Sequence, residues 1–313
     1  MKVLVTGANG FVGGHLCRTL EASTIEVARA VRNPQPGAVA VGQINGETDW
    51  SAALPGVEAI VHLAGRVHFL KDTAIDPLLE FRKVNVDGTL NLARQAARAG
   101  VNRFIFISSI AVHGLTSGTH PFSSQDVPDP HDAYGLSKYE AEQGLKKLAD
   151  ETGFQLVIIR SPLVYGAGVS ANFLRLLKLA GSGLPLPLAT VRNRRNPVFI
   201  GNLCDLILKC LTHQAAAGQT FLVADDQDVS TPELLRMLGK AMNKKIWLFP
   251  MFGSVLRLAG RLSGRSGEIA RLCGSLQVDI SYTKELLGWT PPFSMEEGIR
   301  ETVRYYMSVQ PNR

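Results

Sequence analysis

The chain has 313 residues, 45% hydrophobic and 19% charged, which is core material for one large α/β domain or two smaller ones and excludes a disordered chain. Its net charge of +6 favours anionic partners. No long Lys/Arg run or aromatic-interleaved basic patch is present, so phosphorylated small molecules are expected rather than nucleic acid.

Residues 2–6, Lys-Val-Leu-Val-Thr, are a short apolar run that suits a buried parallel strand. Gly7, Gly10 and Gly13 follow at G-x-x-G-x-x-G spacing, and helical periodicity then runs from Phe11 to Ala22. Strand, glycine turn and helix together present amide N–H groups and a positive helix end to a pyrophosphate. A second strand covers Ile25 to Val31. In NAD-binding units an Asp or Glu at its end binds the ribose 2′-hydroxyl; here Val31 holds that place and Arg32 follows. An arginine pairs with a 2′-phosphate that a carboxylate would repel. NADP(H) is therefore expected over NAD(H), with Arg32 as the clamp and Arg29 as a second candidate.

A third strand is expected over about Ala38 to Ile44 and a fourth over Glu58 to Gly65, where His62 reads as a packed strand residue. A long helix over about Ile75 to Ala99 and a fifth strand at Arg103 to Ile107, running into Ser108 and Ser109, come next. The turn-rich loop from His113 to Asp132 leads to a helix from Tyr134 to about Glu151. Tyr134 and Lys138 lie one helical turn apart on one face. A nearby ammonium favours the phenolate, so the Tyr134 pKa is expected to fall toward the working pH, making it a candidate proton donor or acceptor. Strand six is Gln155 to Arg160, and the alternation to this point argues for a doubly wound parallel sheet.

Beyond Tyr165 the alternation loosens into helical segments at 171–181, 202–212, 231–242, 251–262 and 295–307, with one strand at Thr220 to Ala224. The expected division is a dinucleotide-binding unit over 1–165, rejoined by 198–230, and a smaller, mostly helical substrate lobe over 166–197 and 231–313. The apolar stretch Ile246 to Leu262 is interrupted by Pro250, Gly253, Arg257 and Gly260, and it reads as a core helix with a basic face rather than a membrane-surface helix. No uninterrupted apolar stretch reaches ~18 residues, so no membrane insertion is expected. The N-terminal apolar run is too short for a signal peptide. Cys17, Cys204, Cys210 and Cys273 form no C-x-x-C pair and read as reduced thiols of a cytoplasmic protein. The seven histidines lack ligand spacing, so no metal is expected.

Several ordered motifs run nearly end to end: Thr6 to Gly13, His62-Leu63-Ala64, Asn85-Val86-Asp87-Gly88-Thr89, Ser108-Ser109, Tyr134-x-x-x-Lys138, Arg160-x-x-x-Val164-Tyr165-Gly166 and Leu286 to Pro291. Through them the chain resembles the extended short-chain dehydrogenase/reductases, the NAD(P)-dependent nucleotide-sugar epimerase/dehydratase group, which implies an α/β Rossmann fold. The resemblance makes Ser109 the hydrogen-bond partner of the reacting oxygen, Tyr134 the general acid/base and Lys138 the ligand of the nicotinamide ribose. It places Gly7, Asn9, Gly10, Phe11, Val12, Gly13, Arg32, Gln43, Ile44, Leu63, Ala64, Ser108, Tyr134, Lys138 and Pro162 at the cofactor. Arg66, His113, Asn172, Arg195 and Arg271 are the implied contacts of a UDP-sugar, with Arg194 an alternative to Arg195. Asn85 is read as structural, behind the active site. Two departures stand out: His113 replaces a tyrosine in Val-Tyr-Gly, and Gln43 replaces an acidic residue that contacts adenine.

Dehydratases of this group carry Asp-Glu after their catalytic Thr, whereas Ile110 and Ala111 follow Ser109. Dehydration is therefore not expected. The Arg32 clamp favours an NADPH-dependent reductase of a UDP-4-keto-6-deoxy-N-acetylhexosamine, in surface-polysaccharide synthesis. The chain also looks like reductases of that kind in Val61 to His68, Asn193 to Asn196 and Leu272 to Asp279. A UDP-sugar 4-epimerase is the alternative. A non-catalytic NADP-sensing protein is a third reading, opposed by the retention of Ser109, Tyr134 and Lys138. Homodimerisation through the helices bearing Asn85 and Tyr134 is a further implication.

Overall fold

Seven parallel strands form the central sheet of the chain, seen in a computed structural model that describes residues 1–67, 75–264 and 266–309. In chain order they are β1 (Lys2–Thr6), β2 (Glu26–Val31), β3 (Val39–Ala40), β4 (Ala59–His62), β5 (Arg103–Ser109), β6 (Gln155–Ser161) and, far later, β9 (Thr220–Leu222). Their spatial order is β3-β2-β1-β4-β5-β6-β9. The order reverses between β1 and β4, which opens a crevice at their carboxyl ends. A separate parallel pair joins β7 (Val164–Tyr165) to β8 (Val198–Phe199).

Period-two alternation divides the core between the two faces of this sheet. Val3 and Val5 of β1 pack with Leu16 and Leu20 of α1 (Phe11–Ala22) and with Leu203 and Ile207 of α6 (Ile200–Thr212). Leu4 faces the other way. It joins Ile60, Phe104 and Phe106, which are covered by Leu92 and Ala96 of α3 (Thr89–Arg98) and by Ala141 and Leu145 of α4 (Ala133–Thr152). Apolar side chains cover both faces of the sheet, which is why the strands read as short hydrophobic runs rather than alternating ones.

Several elements depart from expectation. The third strand is confined to Val39–Ala40, because the following residues turn into a loop held by the side chains of Thr48 and Asn91. The long helix expected over 75–99 is broken: α2 (Pro77–Arg82) leads into a π-helical turn at Lys83–Gly88 before α3 begins. That turn carries Asn85 inward, a placement typical of π-bulges beside functional sites. In the mostly helical C-terminal part, α5 (Ala171–Gly181), α7 (Thr231–Ala241) and α11 (Met295–Ser308) match the expected segments. Helices α9 (Ser266–Cys273) and α10 (Ser281–Leu287) were not foreseen, since eight- and seven-residue helices show too little periodicity.

The stretch expected as a core helix becomes α8 (Gly253–Leu262), and that expectation is corrected. Only Leu256 and Gly260 of its described side chains are buried, while Val255, Leu258 and Leu262 are exposed. An apolar run does not say whether the fold supplies a surface to bury it. Of the later return to the sheet, β9 pairs with β6, but Val198–Phe199 pairs with β7. A buried carboxylate ties these parts together: Asp225 accepts from Tyr165 Oη, Phe199 N and Asn202 Nδ2, each at 2.7 Å.

No helix among the described residues is long and apolar enough to cross a membrane.

Candidate active site

The first wall of the crevice is the turn between β1 and α1. Gly7 has φ +66°, and a Cβ on Gly13 would overlap the Gly7 carbonyl oxygen. The turn is therefore as tight as glycine allows. Helix α1 starts at Gly10 with no side-chain cap, so its first amides have no partner from a capping residue. Asn9 and Gly10 are exposed and Phe11 and Val12 partly so, which leaves the cradle open. A cradle that a Cβ would fill, at a helix N-terminus, fits a dinucleotide pyrophosphate.

The second wall is the end of β4, locked to β1 by a hydroxyl and an imidazole. Thr6 Oγ1 accepts from the amides of Leu63 and Ala64, both at 3.1 Å, so its proton is directed to His62 Nδ1 at 2.7 Å. The other ring nitrogen, Nε2, then donates to Thr89 Oγ1 at 2.9 Å. Burial pulls the His62 pKa down to about 3, and the Lys138 charge adds to the fall. His62 is a packed strand residue, as expected, and it orients the strand end where Leu63 and Ala64 lie.

The third wall is β5 and the turn after it. A 3-10 turn, Ile110–Val112, follows Ser109 directly. Ser109 Oγ accepts from Ala111 N at 3.2 Å, which frees its own proton for the Tyr134 oxygen, with which it shares a hydrogen bond. Close approach of α4 makes this possible. A Cβ on Gly135 would come within 2.5 Å of the Ala111 carbonyl oxygen, so the residue after Tyr134 must be glycine for the helix to sit on the turn. Asp132 caps α4 by accepting from Gly135 N at 2.6 Å. The Tyr134 ring packs edge-on against Phe81 at 5.9 Å.

The Tyr134 pKa is raised, not lowered as expected. Burial pushes the phenol up to about 12; the Ser109 hydrogen bond pulls it back, and the Asp132 carboxylate adds to the rise. Sequence spacing put Lys138 on the right face, but burial, Ser109 and Asp132, not the lysine's charge, set the phenol's shift. The lysine is shifted instead: burial pulls it from 10.5 down to about 8, with Glu142 pushing it back up. Its Nζ donates to the Ile107 carbonyl at 2.9 Å and lies 4.4 Å from the Phe106 ring centroid.

Asn85 supports this floor. Its Oδ1 accepts from Arg66 N at 2.8 Å, and its Nδ2 donates to Arg66 O and to Ser137 Oγ, both at 3.0 Å. The Arg66 guanidinium lies over the Phe81 ring at 5.5 Å. His68, at the end of the same motif, lies outside the described residues.

Sequence reasoning missed the polar cluster beneath Ser108. Glu142, fully buried and one turn beyond Lys138, receives Arg160 Nε at 3.0 Å, Arg160 Nη2 at 2.6 Å and Ser108 Oγ at 2.5 Å. Arg160 Nη1 then meets His113 Nε2 at 2.8 Å. His113 was expected at the substrate mouth. It is 4% exposed and stacked on Phe122 at 5.3 Å, and burial, with the Arg160 charge, brings its pKa down to about 4. The signal for Glu142 was its i+4 spacing from Lys138 on a helix face already marked as inward.

The other candidates are spread more widely. Pro162 is buried beside the end of β6, Gln43 and Arg32 are exposed, and Ile44 is partly buried. Arg32 has no carboxylate partner among the described residues, whereas Arg29 pairs with Glu21 at 2.5 Å. Asn172 is exposed in the first turn of α5, behind the capping position at Ser170. Arg195 bonds the carbonyls of Arg271 and Gly274, so its guanidinium ties 193–196 to the segment after α9. Arg271 itself is exposed. The same junction holds the loop after β5: Ser117 N and Phe122 N donate to Ser275 O and Gln277 O. A cleft of about 630 Å³ beside it is lined by Arg192, Asn193, Arg194 and Arg236, and Ser109, Tyr134 and Lys138 do not border it.

A parallel sheet with a glycine-built anion cradle at its switch point and a Ser–Tyr pair at the next strand end defines the class of dinucleotide-binding α/β enzymes. Residues 3–224 match the NAD dependent epimerase/dehydratase family, and the chain belongs to that family of nucleotide-sugar enzymes. It is 45% identical to the UDP-glucose 4-epimerase of Vibrio cholerae, over 98% of this chain and 95% of that one. The fold is shared with a UDP-glucuronic acid 4-epimerase from Bacillus cereus in complex with NAD (TM-score 0.79, 22% identity, 99% of both chains). It is shared also with a UDP-glucose 4-epimerase from Thermotoga maritima solved with UDP-glucose (TM-score 0.77, 22% identity, 98% and 99% of the two chains).

Proposed function

We propose that the chain is a UDP-sugar 4-epimerase working with NAD. The reading needs Tyr134 beside Ser109, at the carboxyl end of β5, where the serine draws the phenol's pKa down. The observation that carries the choice of epimerase over reductase is the 45% identity to the Vibrio cholerae UDP-glucose 4-epimerase. This reading replaces the reductase favoured from sequence.

Gly7, Gly10, Gly13 and the first amides of α1 would hold the cofactor's pyrophosphate, with Leu63, Ala64, Ser108 and Pro162 around the rest. When bound, the cofactor supplies the hydride acceptor and donor. Ser109 hydrogen-bonds the sugar's C4 oxygen. Tyr134 takes the C4 hydroxyl proton at its phenolic oxygen and returns it after the keto sugar turns over. Lys138 binds ribose hydroxyls as an ammonium. Ile110 and Ala111 place no carboxylate beside Ser109, so the site offers no acid/base pair for dehydration. Arg195 and Asn172 remain the proposed diphosphate contacts.

Lys138 sets a pH dependence. Its folded pKa of about 8 lies below 10.5, so the buried ammonium costs stability at low pH, and that cost eases as pH rises through 8 toward 10.5. Activity has the opposite sign. The cation is present below about 8 and lost above it, so kcat/KM is expected to fall through that pH. A profile flat to pH 10 would remove the ammonium from the mechanism.

A second reading, an NADPH-dependent 4-keto reductase, is favoured by one observation: Arg32, not a carboxylate, follows β2. Arg32→Ala is expected to weaken NADPH by about ten- to a hundredfold, the worth of a charge-assisted contact, and NADH much less. Equal losses would eliminate the clamp. The deciding experiment offers the enzyme UDP-glucose or UDP-galactose, and separately UDP-4-keto-6-deoxy-N-acetylglucosamine with NADPH. Interconversion at C4 without net cofactor change is the expected result. Stoichiometric NADPH consumption without interconversion would establish the reductase instead.

A further inference from the structure

Helix α8 presents apolar side chains outward. Phe252, Val255, Leu258 and Leu262 are 81%, 46%, 56% and 82% exposed, and their spacing of three, three and four places them along one stripe. The buried side of the helix is Leu256 and Gly260, the latter seated against Ile269 of α9. Just before the helix, Trp247 is 60% exposed, on a strand-like segment whose carbonyl receives Leu186 N at 2.8 Å. Single exposed apolar residues are ordinary, but a run of this density marks an interaction surface.

Charge identifies the occupant. From Leu234 to Gly267 the chain carries seven Lys or Arg and no Asp or Glu. Lys244, Lys245 and Arg261 are exposed, and neither Lys245 nor Arg261 has a carboxylate partner among the described residues. Lys245 lies over the Trp247 ring at 5.0 Å, an aromatic and a cation side by side. Glu268, the next acid along the chain, is taken up by Arg175 at 3.1 Å. An apolar stripe with Trp and Phe, flanked only by cations, is complementary to a surface that is apolar beneath and anionic above. A protein partner would not require the exclusion of every carboxylate over this length.

We propose that α8 and the preceding Trp247 segment dock the enzyme peripherally on an anionic lipid bilayer, with the apolar stripe lodged among the headgroups and Lys245 and Arg261 on their phosphates. Trp247 and Leu262 lie apart from the glycine turn and from Ser109, Tyr134 and Lys138 in the chain, and both are exposed, so docking through them is separable from proton transfer.

The test is co-sedimentation of the full chain with phosphatidylcholine vesicles, with and without phosphatidylglycerol. Pelleting is expected with the mixed vesicles, not with phosphatidylcholine alone, and salt is expected to reverse it. The double variant W247E/L262E is expected to lower partitioning by about tenfold or more, since each change adds a repelled charge at the surface. Its circular dichroism and nucleotide-sugar turnover should match the parent. Both residues are solvent-exposed, so the variant tests the surface rather than the core. Absence of pelleting, pelleting independent of phosphatidylglycerol, or undiminished pelleting of the variant would each overturn the proposal. So would a concentration-dependent dimer that the variant dissolves, which would assign the face to a second copy.

Discussion

Tyr134→Phe is expected to lower turnover by about 10²–10⁴-fold while leaving folding and cofactor binding intact. The change removes one oxygen. The ring keeps its edge-on contact with Phe81 at 5.9 Å, and α4 keeps its Asp132 cap and its seat on the Ala111 carbonyl, so the fold loses little. What is lost is the group to which Ser109 donates. The phenol's pKa of about 12 means that at neutral pH it carries its proton and is ready to give it. An epimerase must also take that proton, so the loaded site must lower the value. The acid limb of kcat against pH reports where it settles. Turnover within a few-fold of the parent would take Tyr134 out of the proposed mechanism.

Glu142→Gln is expected to be among the most destabilising single changes in the chain. Glu142 and Arg160 are 0% and 3% exposed at their side chains, and removing one charge strands the other in the core. Breaking such a pair costs about 3–5 kcal/mol. At about 2–4 °C per kcal/mol, the melting temperature should fall by several degrees or more. The same carboxylate receives the Ser108 hydroxyl, one residue from Ser109, and raises the Lys138 pKa. Turnover should therefore fall in the fraction that remains folded, and the alkaline limb set by Lys138 should move to lower pH. A double change, Glu142→Leu with Arg160→Met, removes both charges and is expected to recover part of the stability. If single and double variants melt together, the two side chains are not coupled.

The sheet was legible because its strands are buried on both faces, and each reads as an apolar run bounded by turns. The first glycine turn was legible for a different reason: steric demand at Gly13 leaves no other residue type. The family followed from motifs in fixed order, and it holds. Short elements were not legible. Helices α9 and α10, eight and seven residues long, are too short to show a period, and the π-helical turn at Lys83–Gly88 is a register shift that periodicity reads as continuous helix.

At the candidate site, the sequence by itself determined which chemical groups could meet. Tyr134 and Lys138 share a face because helix geometry is local, and the glycine spacing describes a cradle because backbone sterics are local. Only the tertiary structure decided the energetics. Burial, which no spacing reports, raised the Tyr134 phenol and lowered the Lys138 ammonium. It brought Glu142 and Arg160, 18 positions apart, into one dry ion pair beneath Ser108. It also left α8 without a covering surface, turning an apolar stretch that reads as core into an exposed stripe. Residue identity supplies the groups and their local geometry; solvent exclusion, a property of the assembled chain, sets their charge states and decides which apolar faces stay outside.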